Sequence, residues 1–190
     1  MIRKVLLAAS AFLAGAAMAE PVTYTIDPSH TYPAFEADHM GGMSVWRGKI
    51  NSTSGAFTLD KAAKTGEVSV SMDMASIDFG HDKMNEHARS ADMFDVAKFP
   101  TATYKGKVSK WNGDSPAEVD GQLTMHGVTK PVKLVLNSFL CKPNPMTRKE
   151  TCGADAAATF NRGDFGVAYG KDFGFKLDVT LRISVEAIHN

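Results

Sequence analysis

Apolar and polar side chains alternate along much of the chain with a period of two. Val68, Val70, Met72 and Met74 fall on one side of a run whose other side is Glu67, Ser69, Ser71 and Asp73. Near the C-terminus Leu177, Val179, Leu181, Ile183, Val185 and Ala187 alternate with Asp178, Thr180, Arg182, Ser184 and Glu186. Successive side chains of a strand point to opposite faces, so both runs predict antiparallel strands with one dry and one wet face. Shorter versions at 34–39, 56–59, 102–108, 119–125, 132–136 and 156–160 predict further strands. Turn signals separate them: Gly41-Gly42, the stretch 60–66, Asn112-Gly113-Asp114, His126-Gly127 and Asn161-Arg162-Gly163. One stretch reads differently. Residues 81–93 lack Gly and Pro and carry Met84, His87, Ala88 and Ala91 at helical spacing, which predicts one short helix. Many strands at hairpin spacing with a single insertion predict an all-β barrel or sandwich in one domain.

The size of the apolar residues favours a barrel. Phe35, Phe57, Met72, Met74, Met84 and Met93 fit one interior, as do Phe94, Phe99, Phe139, Phe160, Phe165 and Phe173. Methionine is flexible and polarisable and suits a variable apolar guest. Composition alone favours the plainer reading, an ordinary packed core. Small eight-stranded barrels either fill with side chains or hold one ligand, and periodicity does not separate the two.

The first residues change the working object. Met1-Ile2-Arg3-Lys4 precede an apolar, Ala-rich run to Met18, and Ala17-Met18-Ala19 is a small-x-small cleavage site. This predicts a signal peptide over 1–19, cleaved after Ala19, and export to the periplasm. The run is short and Ala-rich for a transmembrane anchor, no Cys stands at the cut for a lipid anchor, and no later segment is apolar enough to span a membrane. The expected mature chain has 171 residues, with 19 basic against 21 acidic side chains. A slightly acidic surface excludes an electrostatic nucleic-acid binder. A hydrophobic share of 44% is enough to build a core and excludes a disordered chain.

The chain contains two cysteines, Cys141 and Cys152. No C-x-x-C occurs and no His lies between them, so a structural disulfide is expected in an oxidising compartment rather than a redox or metal pair. Closing a loop of this length contributes about 2–3 kcal/mol by chain entropy. The six histidines, His30, His39, His81, His87, His126 and His189, show no metal-ligand spacing. No G-x-S-x-G marks a nucleophile. Asn161-Arg162-Gly163-Asp164-Phe165-Gly166 reads as a hairpin with local pairing, or as a cavity rim where Arg162 meets a head group.

Several motifs in order resemble the YceI-like family of periplasmic polyisoprenoid-binding, lipocalin-like proteins. Tyr24-Thr25-Ile26-Asp27-Pro28-Ser29-His30-Thr31 is a variant of the family's D-P-x-H-S, with Thr31 for Ser. Phe35, Asp38-His39-Met40-Gly41, Ser76-Ile77-Asp78 with Gly80, and the insertion 85–95 continue it, with Asn85, Ala88 and Met93 departing from the pattern; Phe99-Pro100 follows. Gly121-Gln122-Leu123-Thr124-Met125-His126-Gly127-Val128-Thr129-Lys130-Pro131-Val132 closely resembles G-x-L-T-x-H-G-V-T-K-P-V, and 161–166 resembles N-R-x-D-F-G.

The resemblance implies an extended eight-stranded antiparallel lipocalin-like barrel with one short helical insertion. It implies a cavity for a long-chain isoprenoid (a polyprenyl chain or isoprenoid quinone) or a similar amphiphile, with no other cofactor and no metal. It also implies a tendency to form homodimers. On this reading the protein is a carrier and not an enzyme. Phe35, Phe57, Met72, Met74, Ile77 and Met84 are expected cavity wall, together with Met93, Phe94, Phe99, Phe160 and Phe165. His39, His87, Arg89, Asn161 and Arg162 are expected polar rim residues, or barrel-end hydrogen-bonding residues. The rivals are an enzyme acting on bound lipid, which needs a converging titratable pair such as His39 with Asp92, and an envelope-stress or respiratory accessory protein working through a protein partner.

Overall fold

The computed structural model describes residues 20–190; the expected leader, 1–19, lies outside them. Eleven strands and one helix follow in chain order. They are β1 (Val22–Ile26), β2 (Tyr32–His39), β3 (Ser44–Ile50), β4 (Thr53–Asp60), β5 (Thr65–Asp73), β6 (Ile77–Asp78), helix α1 (Asp82–Arg89), β7 (Thr101–Asn112), β8 (Ser115–Met125), β9 (Val128–Pro143), β10 (Glu150–Asn161) and β11 (Asp178–His189). Every pairing is antiparallel. The ring β1-β4-β5-β7-β8-β9-β10-β11 closes on itself through β1 and β11, giving an eight-stranded barrel.

Three staves of this barrel are broken strands. β1 and β2 both lie along β11, with Ile26 opposite Ala187 and Tyr32 opposite Ser184. The D-P-S-H-T stretch between them is the break. Pro28 offers no N–H to a ladder, Asp27 Oδ1 accepts from the Ser29 amide at 2.9 Å, and Thr31 Oγ1 exchanges hydrogen bonds with the Glu186 backbone at 3.1 and 3.2 Å. The Thr31 hydroxyl thus replaces a ladder bond that the kinked backbone gives up. β3 and β4 continue each other past Asn51-Ser52, and β5 runs on to β6 through a 3₁₀ turn at Met74–Ser76.

The strongest sequence periods correspond to β5 and β11. β3 escaped the periodicity because its inward positions are Trp46, Gly48 and Ile50. Gly48 is required: a Cβ there would stand 2.5 Å from the Phe35 ring. The helix is short, as expected, and fills only the first part of the stretch 81–93. It stops at Arg89 because Ser90 turns to extended backbone and donates both its amide and its hydroxyl to the His87 carbonyl. The chain then wraps back, with Phe94 N donating to Ala88 O.

His126-Gly127 forms a two-residue hairpin with φ of 52° and 76°, the mirror-image turn that strand twist favours. A Cβ at Gly127 would meet the Phe99 ring at 2.7 Å, so this position needs glycine on two counts.

The helix, the turns at 40–43 and 126–127 and the long β10–β11 connection gather at one end of the barrel. The turns at 61–64, 113–114 and 144–149 gather at the other. At that far end Cys141 and Cys152, directly opposite each other on β9 and β10, are joined in a disulfide. A disulfide fits an extracytoplasmic protein. Among the described residues, no helix is long and apolar enough to cross a membrane.

Candidate lipid cavity

The barrel is hollow. A cavity of about 470 Å³ runs along its interior, within the range of small-molecule sites. Val179, Leu181, Ile183 and Val185 line it in alternate positions along β11, which at about 3.4 Å per residue makes a wall about 20 Å long. Inward residues such as Phe35, Phe57, Met72 and Phe160 are only half-buried, because part of their surface faces the void instead of a neighbour.

The two ends differ. At the far end Tyr24 stacks on Phe57 at 4.9 Å and Phe57 meets Phe139 at 6.3 Å, beside the buried Ile26, Leu59, Cys152 and Ala187. Burial and the Glu150 carboxylate, to which its hydroxyl donates, push the Tyr24 phenol up to about 12. At the helix end the lining includes Tyr169, which is 43% exposed. His39, Trp46 and His87 line this end too and are half-buried, so the helix end is read as the mouth.

The mouth is aromatic and polar. His39 packs on Trp46 at 5.1 Å and edge-on to Phe175 at 5.2 Å, and His87 meets Tyr169 at 4.6 Å. Arg162 is buried, and its guanidinium donates to the carbonyls of Val167 at 2.7 Å and Tyr169 at 2.8 Å. Burial holds the Arg162 pKa below its ordinary value, and the nearby Asp38 opposes that shift. Asp38 accepts from the amides of Lys176 and Gly41, each at 2.9 Å, and these bonds hold its carboxyl below the usual range. Away from the mouth the lining is chiefly apolar; Glu67 borders it, but its carboxylate pairs with Lys107 at 2.9 Å on the outer face.

Of the expected wall residues, Phe35, Phe57, Met72, Met74, Ile77 and Met84 border the cavity, and so do Met93, Phe94 and Phe160. Phe99 and Phe165 do not. Phe99 packs on His126 at 4.5 Å under the hairpin, and Phe165 is fully buried behind Phe160, edge-on at 5.4 Å. His39, His87 and Arg162 reach the mouth. Arg89 closes the last turn of α1 and lies off the cavity. Asn161 caps the 3₁₀ turn Arg162–Phe165 through Gly163 N and donates to Asp178, so it builds the loop instead of lining it. Asp92 is exposed and off the cavity, so it does not converge with His39.

Other lining residues went unremarked in the sequence. Trp46 and Phe79 sit on or beside the broken strands, and Tyr169 and Phe175 occupy an aperiodic loop. Tyr104 lies across Gly121, where a Cβ would stand 2.3 Å from its ring, and its hydroxyl donates to Val132 O at 2.9 Å. Burial pushes this phenol up as well. The signal for Tyr104 was the adjacent glycine on the paired strand.

The model of the YceI-like domain matches residues 24–187. A UPF0312 protein of Pseudomonas paraeruginosa is 34% identical over 194 residues, covering 99% of each chain. Another, from Azotobacter vinelandii, is 32% identical over the same coverage. Among solved structures, Burkholderia cenocepacia BcnA superposes with a TM-score of 0.69 at 22% identity, over 85% of this chain and 99% of that one. A polyisoprenoid binding domain from Saccharophagus degradans, implicated in plant cell wall breakdown, gives 0.60 at 14% identity, over 89% and 99%. These two likenesses are of fold. Together, the domain match and the full-length relatives establish that the chain belongs to the YceI-like family.

Proposed function

We propose that the protein is a periplasmic carrier that binds one long-chain isoprenoid lipid, a polyprenyl chain or an isoprenoid quinone, tail inward and head at the mouth. The observation that carries this reading is the cavity's polarity. Its long wall is apolar, and Asp38, His39, His87 and Arg162 meet at one end. Burying a methylene gains about 0.8 kcal/mol, so each ten of them supply about 8 kcal/mol towards the cost of association. The nine expected wall residues that border the cavity are the proposed tail contacts, and His39, His87 and Arg162 the proposed head contacts.

A binding protein also accounts for the polar groups better than an enzyme does. Asp38 and Arg162 are committed to backbone partners that shape the mouth. The expected leader, with the disulfide, supports export to the periplasm. The test is a titration of delipidated protein with an isoprenoid quinone, read by quenching of Trp46 at the mouth. One-to-one saturable quenching is expected; a linear, unsaturable response overturns the proposal.

A further inference from the structure

The mouth is ringed on its outer side by exposed apolar side chains, of which the cavity uses only Tyr169. Met43 is 74% exposed and Phe173 71%, with Val45 at 52%, Met40 at 50% and Tyr169 at 43%. They come from two segments, the β2–β3 turn running into the start of β3 and the β10–β11 loop, that are locked together. Asp38 accepts from the amides of both Gly41 and Lys176, and a Cβ on Gly41 would stand 3.1 Å from the Gly174 carbonyl. The collar is thus preformed and continuous with Tyr169 and Phe175 of the cavity lining. Lys171 and Lys176 flank it, and neither forms an ion pair among the described residues, although Lys176 is close enough to Asp38 to act on its charge.

We propose that this collar docks the barrel, mouth down, on the surface of a phospholipid bilayer. The proposal rests on the reading of the cavity as a lipid-carrier site, and adds where the lipid enters and leaves. Apolar side chains beside unpaired lysines are the pattern of shallow insertion at an anionic lipid interface. Position favours a bilayer over a second copy or a partner protein, because the collar surrounds the opening through which a lipid tail must pass. At about 150–250 Å² for a large side chain, the five exposed fractions offer roughly 500 Å² of apolar surface to insert. A bilayer takes up such a surface without a shape-matched partner. It also removes the step in which an apolar chain crosses water, because tail and cavity wall meet at the interface.

The protein carries one tryptophan at each end: Trp46 at the mouth and Trp111 in the far-end cluster with Tyr24 and Leu59. The single-tryptophan variants Trp111→Phe and Trp46→Phe are mixed with vesicles of equal parts phosphatidylethanolamine and phosphatidylglycerol, the latter brominated in its chains. Quenching of Trp46 with Trp111 spared is expected; equal quenching of both, or of neither, overturns docking through the mouth. The double variant Met43→Ser/Phe173→Ser should lose vesicle flotation at least tenfold, while Leu140→Ser/Met146→Ser at the far end floats like wild type. Flotation unchanged in the collar variant overturns the proposal, as does a wild-type protein that never floats. Uptake of the apolar dye N-phenyl-1-naphthylamine is measured on each variant in parallel. Dye uptake without vesicle binding sinks only the docking surface; absent dye uptake in wild type sinks the carrier reading itself.

Discussion

Replacing Ala154 by phenylalanine distinguishes a hollow barrel from a filled one by the sign of its effect. Ala154 sits on β10 at the far-end limit of the wall, opposite Phe139 and Val185, and is half-buried because its methyl faces the cavity. The new ring adds about 100 Å² of apolar surface that folding removes from water, worth about 2.5 kcal/mol at about 25 cal/mol per Å². In a filled core the same ring costs about 1–3 kcal/mol through displaced neighbours. Urea unfolding of delipidated protein reads the difference as a change in midpoint at constant m. The hollow barrel predicts a variant stabilised by about 1–2 kcal/mol after the ring's lost rotamer freedom, with apolar-dye uptake reduced at least tenfold. Destabilisation with unchanged dye uptake would refute the argument.

Further expectations follow from the ends of the barrel. Cys141→Ser/Cys152→Ser should lower stability by about 2–3 kcal/mol by urea unfolding, and peptide mapping without reduction should find the two joined; free thiols in native material contradict that. Arg162→Met strips the Val167 and Tyr169 carbonyls of their donors and should cost about 1–3 kcal/mol; a variant as stable as wild type would separate the loop from this side chain. Tyr24 has its pKa raised from 10.0 to about 12 in the fold. The protonated phenol is the form the fold favours, so its contribution is complete below pH 10 and is lost as pH rises towards 12. Thermal melts should fall across that window and fall less in Tyr24→Phe; identical slopes contradict the assignment.

What the sequence made legible was the part of the wall built by regular alternation. β11 places Val179, Leu181, Ile183 and Val185 on the cavity face as their spacing requires, and β5 does the same with Val68, Val70 and Met72. Legibility failed where the backbone leaves its period. The kink at 27–31 hid β1, and inward Gly48 hid β3, because its missing side chain is what makes room for Phe35. Tyr169 and Phe175 reach the mouth from a loop whose shape comes from Arg162's grip on two carbonyls, a long-range packing fact with no linear signature. The same motif misdirected the wall assignment: Phe165 is apolar and adjacent, but the 3₁₀ turn capped by Asn161 aims it behind the wall. Hydropathy likewise could not tell Phe99, which braces the His126-Gly127 turn, from a residue facing the void.

The central claim is that the void belongs to a lipid, and it is tested most directly on protein purified from its native envelope without detergent. Organic extraction followed by mass spectrometry should recover a polyprenyl or isoprenoid-quinone mass at one per barrel. Preparations that are consistently empty, and that also fail to take up such lipids on titration, would contradict the account.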